Sequence, residues 1–195
     1  MTPVTTSSAH RKRLLAAMAQ TLRSREYHDV TIADIVQAAR TSRRTFYEHF
    51  ADKEECVVEL LRDSVARTVR RIEADVDPEA PWPDQARQAI ESLVGSVAAE
   101  PEVHLTWLRA APSLGPRGRA LSREAMASFI ALTQSLADTP ALHAAGLATP
   151  SRQQSIVLVG GLRELIDITL EEGGDLHDVV GVATDATMLL LGPRR

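Results

Sequence analysis

Cysteine and aromatic residues are scarce in this sequence of 195 residues, which contains one cysteine, Cys56, and 4% Phe, Trp and Tyr. A single cysteine excludes an internal disulfide and a multi-cysteine metal site, and we expect Cys56 to be a small buried apolar residue. No run of about 18 apolar residues is present, which excludes a membrane-spanning helix. The polar start MTPVTTSS lacks the apolar stretch of a secretory signal, so we expect a cytoplasmic protein.

Motifs of metal binding and catalysis are also missing. The six histidines show no H-E-x-x-H or similar paired spacing. There is neither a G-x-S-x-G motif nor a glycine-rich phosphate loop. We therefore expect no metal site, no cofactor and no enzymatic activity.

Charge is distributed unevenly along the chain, although the formal net charge is only −4. Residues 1–53 contain nine Lys and Arg against five Asp and Glu, a net of +4, whereas residues 54–195 contain 13 against 21, a net of −8. A basic N-terminal part on an acidic body favours a polyanionic partner for the N-terminal part. Charge alone leaves nucleic acid and a membrane surface open as that partner.

Apolar residues recur along the chain with the 3.6-residue period of α-helices, and no alternating strand pattern is present. Abundant Ala and Leu also favour helices. With proline, glycine and N-cap residues as boundaries, the pattern predicts an all-α fold of about nine helices, at about residues 10–25, 31–39, 42–50, 53–73, 84–99, 102–111, 117–138, 150–172 and 175–191.

A helix-turn-helix is indicated at about residues 31–50, where two short helices in the basic part are separated by a break of about three residues. Thr31 and Asp34 have the spacing of a capping box, and Ser42 is a favourable N-cap for the second helix. The second helix of such a motif enters the DNA major groove with its N-terminus first. Its opening residues are therefore the candidate base contacts: Ser42, Arg43, Arg44 and Thr45.

Phosphate contacts are expected beside these base contacts. Phe46 and Phe50 are four residues apart and share the inner face of the second helix, which turns Tyr47 outward, where its hydroxyl can donate to a phosphate. Thr31, His49 and Lys53 are further candidates, because a helix N-terminus and nearby donors favour an anion.

The run TIADIVQAARTSRRTFYEHFADKEE resembles the TetR family of bacterial transcriptional repressors. Residues typical of the family occupy ten positions of the run: Thr31, Ile35, Ala39, Ser42, Thr45, Tyr47, His49, Phe50, Lys53 and Glu54. In the turn, Arg40 stands where the family usually has glycine and Thr41 where it has a hydrophobic residue, and Arg44 replaces a frequent small residue. We include Arg40 and Thr41 among the candidate DNA contacts. A left-handed backbone would cost Arg40 about 1 kcal/mol, which another turn conformation would avoid or a phosphate contact would offset.

The pattern and the resemblance together imply a flexible tail at residues 1–8, a DNA-binding domain at 9–55 and a ligand-binding and dimerisation domain at 56–195. In the family, the last two long helices pair with their copies in a dimer, which predicts these interface residues: Ile156, Val159, Gly160, Arg163, Ile166, Val179, Val182, Ala186, Leu189 and Leu190. The alternative is that these helices form the core of a single protomer. Since one short recognition helix reads only a few base pairs, a two-fold dimer predicts a palindromic operator.

The middle helices of such regulators usually bind a small-molecule effector, which makes six residues candidates for the pocket: His104, Trp107, Arg109, Met126, Phe129 and Arg163. Trp and Met at helical spacing also suit a core, and Arg163 and Asp167 are spaced for an ion pair. The implied function is a dimeric repressor that an unidentified effector releases from its operator on double-stranded DNA. Two alternatives stay open: a ligand-responsive activator, and a helical binding protein whose basic N-terminal part contacts a non-DNA partner.

Overall fold

Ten α-helices make up most of the computed structural model, which describes residues 3–192, with side chains from residue 8 onward. They are α1 (Pro3–Leu22), α2 (Ile32–Ala38), α3 (Arg43–Tyr47), α4 (Lys53–Asp75), α5 (Trp82–Ala99), α6 (Pro101–Ala110), α7 (Gly115–Ala137), α8 (Pro140–Ala144), α9 (Arg152–Glu171) and α10 (Val179–Leu191). Short 3-10 helices lie at Tyr27–Asp29, Ala111–Leu114 and Leu176–Asp178. No residue in this range is in a β-strand, so the predicted all-α fold class is confirmed.

Helix boundaries differ from the expected ones at α1, at α3, which ends at Tyr47 instead of near residue 50, and at α8. Helix α1 begins at Pro3, so the expected flexible tail of residues 1–8 has helical backbone from Pro3 onward, and residues 1–2 lie outside the described part of the chain. The apolar pattern does not predict α8, because five residues are too few to show a period. The start of α8 has the usual features of a helix N-terminus. Thr139 Oγ1 accepts a hydrogen bond from the Leu142 N–H (3.3 Å), and proline occupies the first helical position.

By its packing the chain forms two compact units, Met1–Ser64 with Glu102–Ser122, and Val65–Pro101 with Arg123–Arg195. The core of the first unit joins the N-terminal helices to α6 and the start of α7, through buried residues that include Leu14, Met18, Ile35, Phe46, Phe50, Val103, Leu114 and Leu121. The expected division of function near residue 55 stays a prediction, because packing does not report where DNA or ligand binds.

The second unit contains two apolar clusters. One cluster joins α5, α9 and α10 through Ile90, Val94, Val97, Ile166, Leu176, Val179 and Ala183. The other joins the end of α4 to α7 through Ile72, Val76 and Leu132, with the partly buried Phe129 packed against it. Burial of each large aliphatic side chain contributes about 1.5–3 kcal/mol, so the first cluster holds the α9–α10 pair against α5 and the second holds the end of α4 against α7.

Candidate nucleic-acid interface

Helix α2 begins with the capping box that the sequence predicts. The Asp34 N–H donates to Thr31 Oγ1 (3.3 Å), and the Thr31 N–H donates to Asp34 Oδ2 (2.9 Å). Arg25 Nη1 lies 2.9 Å from the other carboxylate oxygen of Asp34. Hydrogen bonds from the Thr31 hydroxyl and from its backbone, together with the charge of Arg25, hold the pKa of Asp34 below its usual value. The start of α2 is therefore fixed from two sides, with Thr31 exposed.

The turn after α2 places Arg40 in the left-handed region, at φ 49°. The Thr41 N–H donates to Val36 O (2.9 Å) and the Arg40 N–H to Gln37 O (3.1 Å), which together form the Schellman pattern of helix ends. Within residues 3–192, Arg40 is the one non-glycine residue at positive φ. The turn therefore does not escape the backbone strain by adopting another conformation.

Two other helices of the chain end with the same pair of hydrogen bonds. At the end of α8, Gly146 and Leu147 donate to His143 O and Leu142 O, and at the end of α9, Gly173 and Gly174 donate to Leu170 O and Thr169 O. Glycine holds the left-handed position in both, with φ of 84° at Gly146 and 71° at Gly173. These two helix ends indicate that the left-handed position occupied by Arg40 would ordinarily be a glycine.

Helix α3 buries one face and exposes the other. Ser42 Oγ accepts a hydrogen bond from the Thr45 N–H (3.0 Å), so the predicted N-cap is confirmed. Phe46 on α3 and Phe50, just beyond its end, are buried at 0% and 2% exposure. With Phe46 on the inner face, Tyr47 is turned into solvent, with 57% of it exposed. The outward direction expected for the phenol is therefore confirmed.

The two arginines at the start of α3 are both exposed. Arg44 Nε lies 3.2 Å from Glu48 Oε1, one turn further along the chain, with 90% of the arginine side chain in solvent. An ion pair this exposed contributes about 0–1 kcal/mol. The Arg43 and Arg44 guanidinium groups are therefore available to an anion or a base edge outside the protein.

Three further candidate DNA contacts are partly buried: Thr41, Thr45 and His49. Thr45 Oγ1 lies 3.0 Å from Ser42 Oγ, which ties its hydroxyl to the cap of α3. The His49 ring stands edge-on to the ring of His10 on α1, with 6.3 Å between their centroids. These side chains lie beside the exposed arginines, and their DNA contacts stay predictions.

Lys53, the first residue of α4, turns its side chain back onto the connection between α1 and α2. Its Nζ lies 2.9 Å from Tyr27 O, 2.8 Å from Val30 O and 3.4 Å from His28 O. The same ammonium stands over the Tyr27 ring, 4.4 Å from the centroid. Partial burial lowers the pKa of Lys53 from its ordinary value. A phosphate contact by Lys53 stays a prediction, but its ammonium already has protein acceptors.

Three ion pairs fasten α6 and the start of α7 to the connections between the N-terminal helices of the first unit. Glu102 Oε1 lies 2.9 Å from Arg23 Nε, and Arg109 Nη1 lies 2.7 Å from Glu26 Oε1. Arg117 Nη1 lies 2.9 and 3.0 Å from the two carboxylate oxygens of Asp52. Sequence reasoning missed all three pairs, because their partners lie far apart in the chain and no local spacing signals them.

The six candidate ligand residues are divided between the two units. In the first unit, Trp107 packs against the core, and Arg109 is engaged with Glu26. In the second unit, Phe129 packs against the core, and Arg163 Nε lies 3.7 Å from Asp167 Oδ2. His104 and Met126 are partly buried in the first and second units respectively. Both structural alternatives are therefore observed, since the aromatic residues pack against the core and Arg163 forms an ion pair. An effector pocket at these residues stays a prediction.

A groove of about 500 Å³ lies elsewhere in the second unit, against α5 and the start of α10. Its lining consists of Arg87, Glu91, Val94, Gly95, His177, Val180 and Gly181. None of the six candidate ligand residues lines it. The sequence gives no signal for this groove, because its residues come from two segments far apart in the chain.

Exposed apolar side chains are concentrated on the last two helices. The large exposed hydrophobic residues among the described ones are Tyr47 on α3, Val157 and Ile168 on α9, and Val182 and Leu189 on α10. Of the residues predicted for a dimer interface, Ile166 and Val179 are instead buried in the second unit's own core. Arg163, Val182, Ala186 and Leu189 are exposed, and Ile156, Val159, Gly160 and Leu190 are partly exposed. Sequence reasoning missed Val157 and Ile168, which lie in the same apolar run as the buried residues.

Metal-binding and membrane-spanning features are absent from the described residues. The described residues contain no group of three His, Cys, Asp or Glu side chains placed to hold a metal ion. None of the described helices combines the length and the apolar character that crossing a membrane requires.

An all-α chain whose N-terminal unit presents an arginine-bearing second helix after a tight turn belongs to the helix-turn-helix class of proteins. Residues 14–60 match the model of the bacterial regulatory proteins of the tetR family. The resemblance that residues 31–55 indicate is therefore confirmed over this N-terminal segment.

Curated relatives share the N-terminal half of the chain. The chain is 29% identical over 101 residues to an uncharacterized HTH-type transcriptional regulator, YxbF, of Bacillus subtilis, which covers 52% of this chain and 26% of that protein. It is 33% identical over 93 residues to an uncharacterized HTH-type transcriptional regulator, Mb0790c, of Mycobacterium bovis, covering 48% of this chain and 41% of that protein. The match thus spans less than half the length of these relatives.

Solved structures share the fold over nearly the whole chain. The fatty acid degradation regulator FadR of Bacillus halodurans superposes with a TM-score of 0.74 at 19% identity, covering 95% of this chain and 96% of that one. FadR of Bacillus subtilis, solved in complex with stearoyl-CoA, gives a TM-score of 0.72 at 14% identity, with 94% and 99% covered. At these identities the likeness establishes the fold.

Proposed function

We propose that this chain is a sequence-specific DNA-binding transcriptional regulator, a dimeric repressor that a small molecule releases from a palindromic operator. The observation that carries the proposal is the outer face of α3, where Arg43, Arg44 and Tyr47 are exposed while Phe46 anchors the helix from behind. The relatives named as HTH-type transcriptional regulators support it. The non-DNA alternative is disfavoured, because a membrane-binding helix needs an exposed apolar stripe, and α3 exposes arginines instead.

The exposed groups of the helix-turn-helix divide into two kinds of contact. The planar guanidinium of arginine can donate to both acceptors of a guanine edge, which is worth about 1–3 kcal/mol of discrimination per pair. The Tyr47 hydroxyl and the start of α2 at Thr31 suit phosphate, which fixes register and adds affinity without reading sequence. We assign base reading to Arg43 and Arg44 on this ground.

The experiment that tests DNA recognition is selection of bound duplexes from a random pool, followed by affinity measurement on the enriched sequence. The variant Arg43→Ala/Arg44→Ala should lose about 100-fold or more in affinity for that duplex, from two arginine contacts. Arg70→Ala/Arg71→Ala is the matched control, because it removes two adjacent arginines from α4 in the second unit. Enrichment of no sequence from the pool would refute the proposal, and equal loss in both variants would refute the assignment to α3.

The exposed apolar side chains of α9 and α10 support dimerisation. Val157, Ile168, Val182 and Leu189 lie on adjacent helices of one unit, and Leu189 is 88% exposed. Clustered apolar exposure of this kind marks an interaction surface. A second copy of the chain is the partner that a palindromic operator requires, because a two-fold axis relates both the half-sites and the protomers.

Replacing Val182 and Leu189 by aspartate should give a folded monomer that binds a single half-site weakly. Sedimentation measures the mass, and far-UV circular dichroism reports whether the helices are retained. Ala127→Asp/Ala131→Asp is the control, since it adds two carboxylates four residues apart on an exposed part of α7. A dimer that persists in the Val182/Leu189 variant would place the interface elsewhere.

The effector would act by favouring one of two states of the regulator. A ligand shifts such an equilibrium only by its difference in affinity for the two states, and about 5.5 kcal/mol is needed to move it from 1:99 to 99:1. Because FadR of Bacillus subtilis was solved with stearoyl-CoA, long-chain acyl-CoA is the first effector class to assay. Release of the selected duplex on addition of the effector tests the ligand response. A transcription assay with the operator placed over a promoter then distinguishes a repressor, which lowers transcription until the effector is added, from an activator.

A further inference from the structure

We propose that Lys53 is a positioning residue that ties the start of α2 to the start of α4, and that its ammonium makes no phosphate contact. The role rests on the proposed DNA binding, since it concerns how the helix-turn-helix is held for that task. The proposal replaces the predicted phosphate contact of Lys53 by hydrogen bonds to the protein's own backbone.

Donor capacity is the first argument. A lysine ammonium has three N–H donors and no acceptor. The carbonyl oxygens of Tyr27, His28 and Val30 lie 2.9, 3.4 and 2.8 Å from Lys53 Nζ, so each donor has a backbone acceptor. The Tyr27 ring covers the ammonium from another direction, at 4.4 Å. A phosphate would have to displace these acceptors from a partly buried group.

The local charge at the start of α4 is the second argument. Asp52 precedes Lys53, and Glu54 and Glu55 follow it. The Glu55 N–H donates to Asp52 Oδ1 (2.7 Å), so the protein supplies its own anion to the N-terminus of α4. The first turn of α4 therefore already has an anionic acceptor of its own, and that carboxylate is held in place by Arg117, whose Nη1 lies 2.9 Å from Asp52 Oδ2.

The connection to α2 is the third argument. Val30 O belongs to the same peptide unit as the Thr31 N–H, which donates to Asp34 Oδ2 in the capping box (2.9 Å). Lys53 therefore donates to the carbonyl of this peptide unit, while Asp34 in the first turn of α2 accepts from its N–H. With both polar groups of this unit held, the exposed N-terminus of α2 is fixed relative to α4, whose Val57 shares the buried core of the first unit with Phe46 of α3.

The composition of the chain allows a direct test, because Lys12 and Lys53 are its two lysines. Lys12 is exposed on α1. Acetylation by an N-hydroxysuccinimide ester, with the extent at each lysine followed by mass spectrometry, should show Lys53 reacting at least tenfold more slowly than Lys12. That ratio should hold both in the free protein and on the selected duplex. Fast reaction of Lys53 in the free protein, with protection by DNA, would overturn the proposal.

A variant separates positioning from phosphate contact. Lys53→Met keeps the aliphatic stem and removes the donors, so the melting temperature should fall by about 5 °C, from the loss of charged hydrogen bonds in a chain of this size. Affinity for the selected duplex should fall about tenfold, with the slope of log affinity against log salt unchanged. Lys12→Met is the matched control and should leave the melting temperature unchanged.

Loss of one phosphate contact would instead reduce that slope by about 0.9. An unchanged melting temperature together with a reduced slope in Lys53→Met would refute the positioning role. If Lys53→Met does not fold, the acetylation rates of the unaltered protein decide. If the unaltered protein binds no duplex, the proposed function fails, while acetylation of the free protein still tests whether Lys53 holds the backbone.

Discussion

Replacing Arg40 by glycine is expected to stabilise the protein, although the change removes an entire side chain. Arg40 occupies the left-handed position of a Schellman motif at φ 49°, where a side chain crowds the following carbonyl oxygen. Gly146 and Gly173 occupy the equivalent position at two other helix ends of the same chain. Arg40 therefore carries a backbone strain that the two glycines avoid.

The magnitude follows from two opposing contributions. Relief of the left-handed strain is worth about 1–2 kcal/mol. The greater flexibility of glycine in the unfolded chain costs about 0.5–1 kcal/mol. The net stabilisation is about 0.5–1 kcal/mol, and for a chain of this size each kcal/mol changes the melting temperature by about 2–4 °C. The expected rise is therefore about 1–4 °C.

Thermal unfolding followed by circular dichroism measures this rise, and Gly173→Arg supplies the reverse exchange. An added Cβ at Gly173 meets no atom within 4 Å, so steric clash does not confuse the comparison. The melting temperature of Gly173→Arg should fall by a similar amount. A lower melting temperature for Arg40→Gly would refute the strain argument, because it would mean that the Arg40 side chain stabilises the fold by more than its backbone costs.

DNA-binding measurements on Arg40 variants test whether the strained turn residue contributes to recognition. If Arg40 contacts phosphate, as the sequence predicts, Arg40→Gly should weaken binding at low salt and reduce the salt slope by about 0.9. Arg40→Lys keeps both the charge and the left-handed strain, so it should retain most of that slope. A more stable protein that binds DNA less tightly would connect the unusual turn residue to recognition.

Two further predictions concern stability and reactivity. Thr31→Ala should cost about 1 kcal/mol by removing the cap of α2. Because the pKa of Asp34 is held below 3.8 in the folded protein, the stabilisation through that carboxylate is present above about pH 4 and is lost as the pH falls through the folded pKa; the melting temperatures of the variant and the unaltered protein should therefore converge in acid. Cys56 is fully buried, and burial raises the pKa of its thiol to about 12, so a disulfide reagent at pH 8 should modify it only as the protein unfolds, and rapid reaction of the native protein would contradict its position.

The sequence predicts the helix-turn-helix well because its signals are local. The cap at Thr31, the cap at Ser42 and the inward spacing of Phe46 and Phe50 each depend on residues within four positions of one another, and each is confirmed. Local spacing also leaves α3 one outward face, which is where Tyr47 lies. A short helix with strong caps and two large apolar anchors has few alternative orientations.

The position of Lys53 shows what local reasoning does not reveal. Family resemblance and a place in the first turn of α4 favour a phosphate contact, and nothing within four residues indicates another partner. Its acceptors belong to Tyr27, His28 and Val30, more than 20 positions earlier. Backbone carbonyls carry no sequence signature, so a side chain that binds them cannot be distinguished from an exposed one before the fold is known.

Helix α10 shows why periodicity cannot separate a core from an interface. Its apolar residues surround the helix, and a helix of this kind must be covered on all sides. Val179, Ala183 and Leu191 face the unit's own core, whereas Val182 and Leu189 face solvent. Both faces have the same composition in the sequence, because the physical demand, removal of apolar surface from water, is the same whichever chain provides the cover. The structure separates them by showing which face the protomer covers with its own residues, and the uncovered face is the one on which a second copy would gain most by packing.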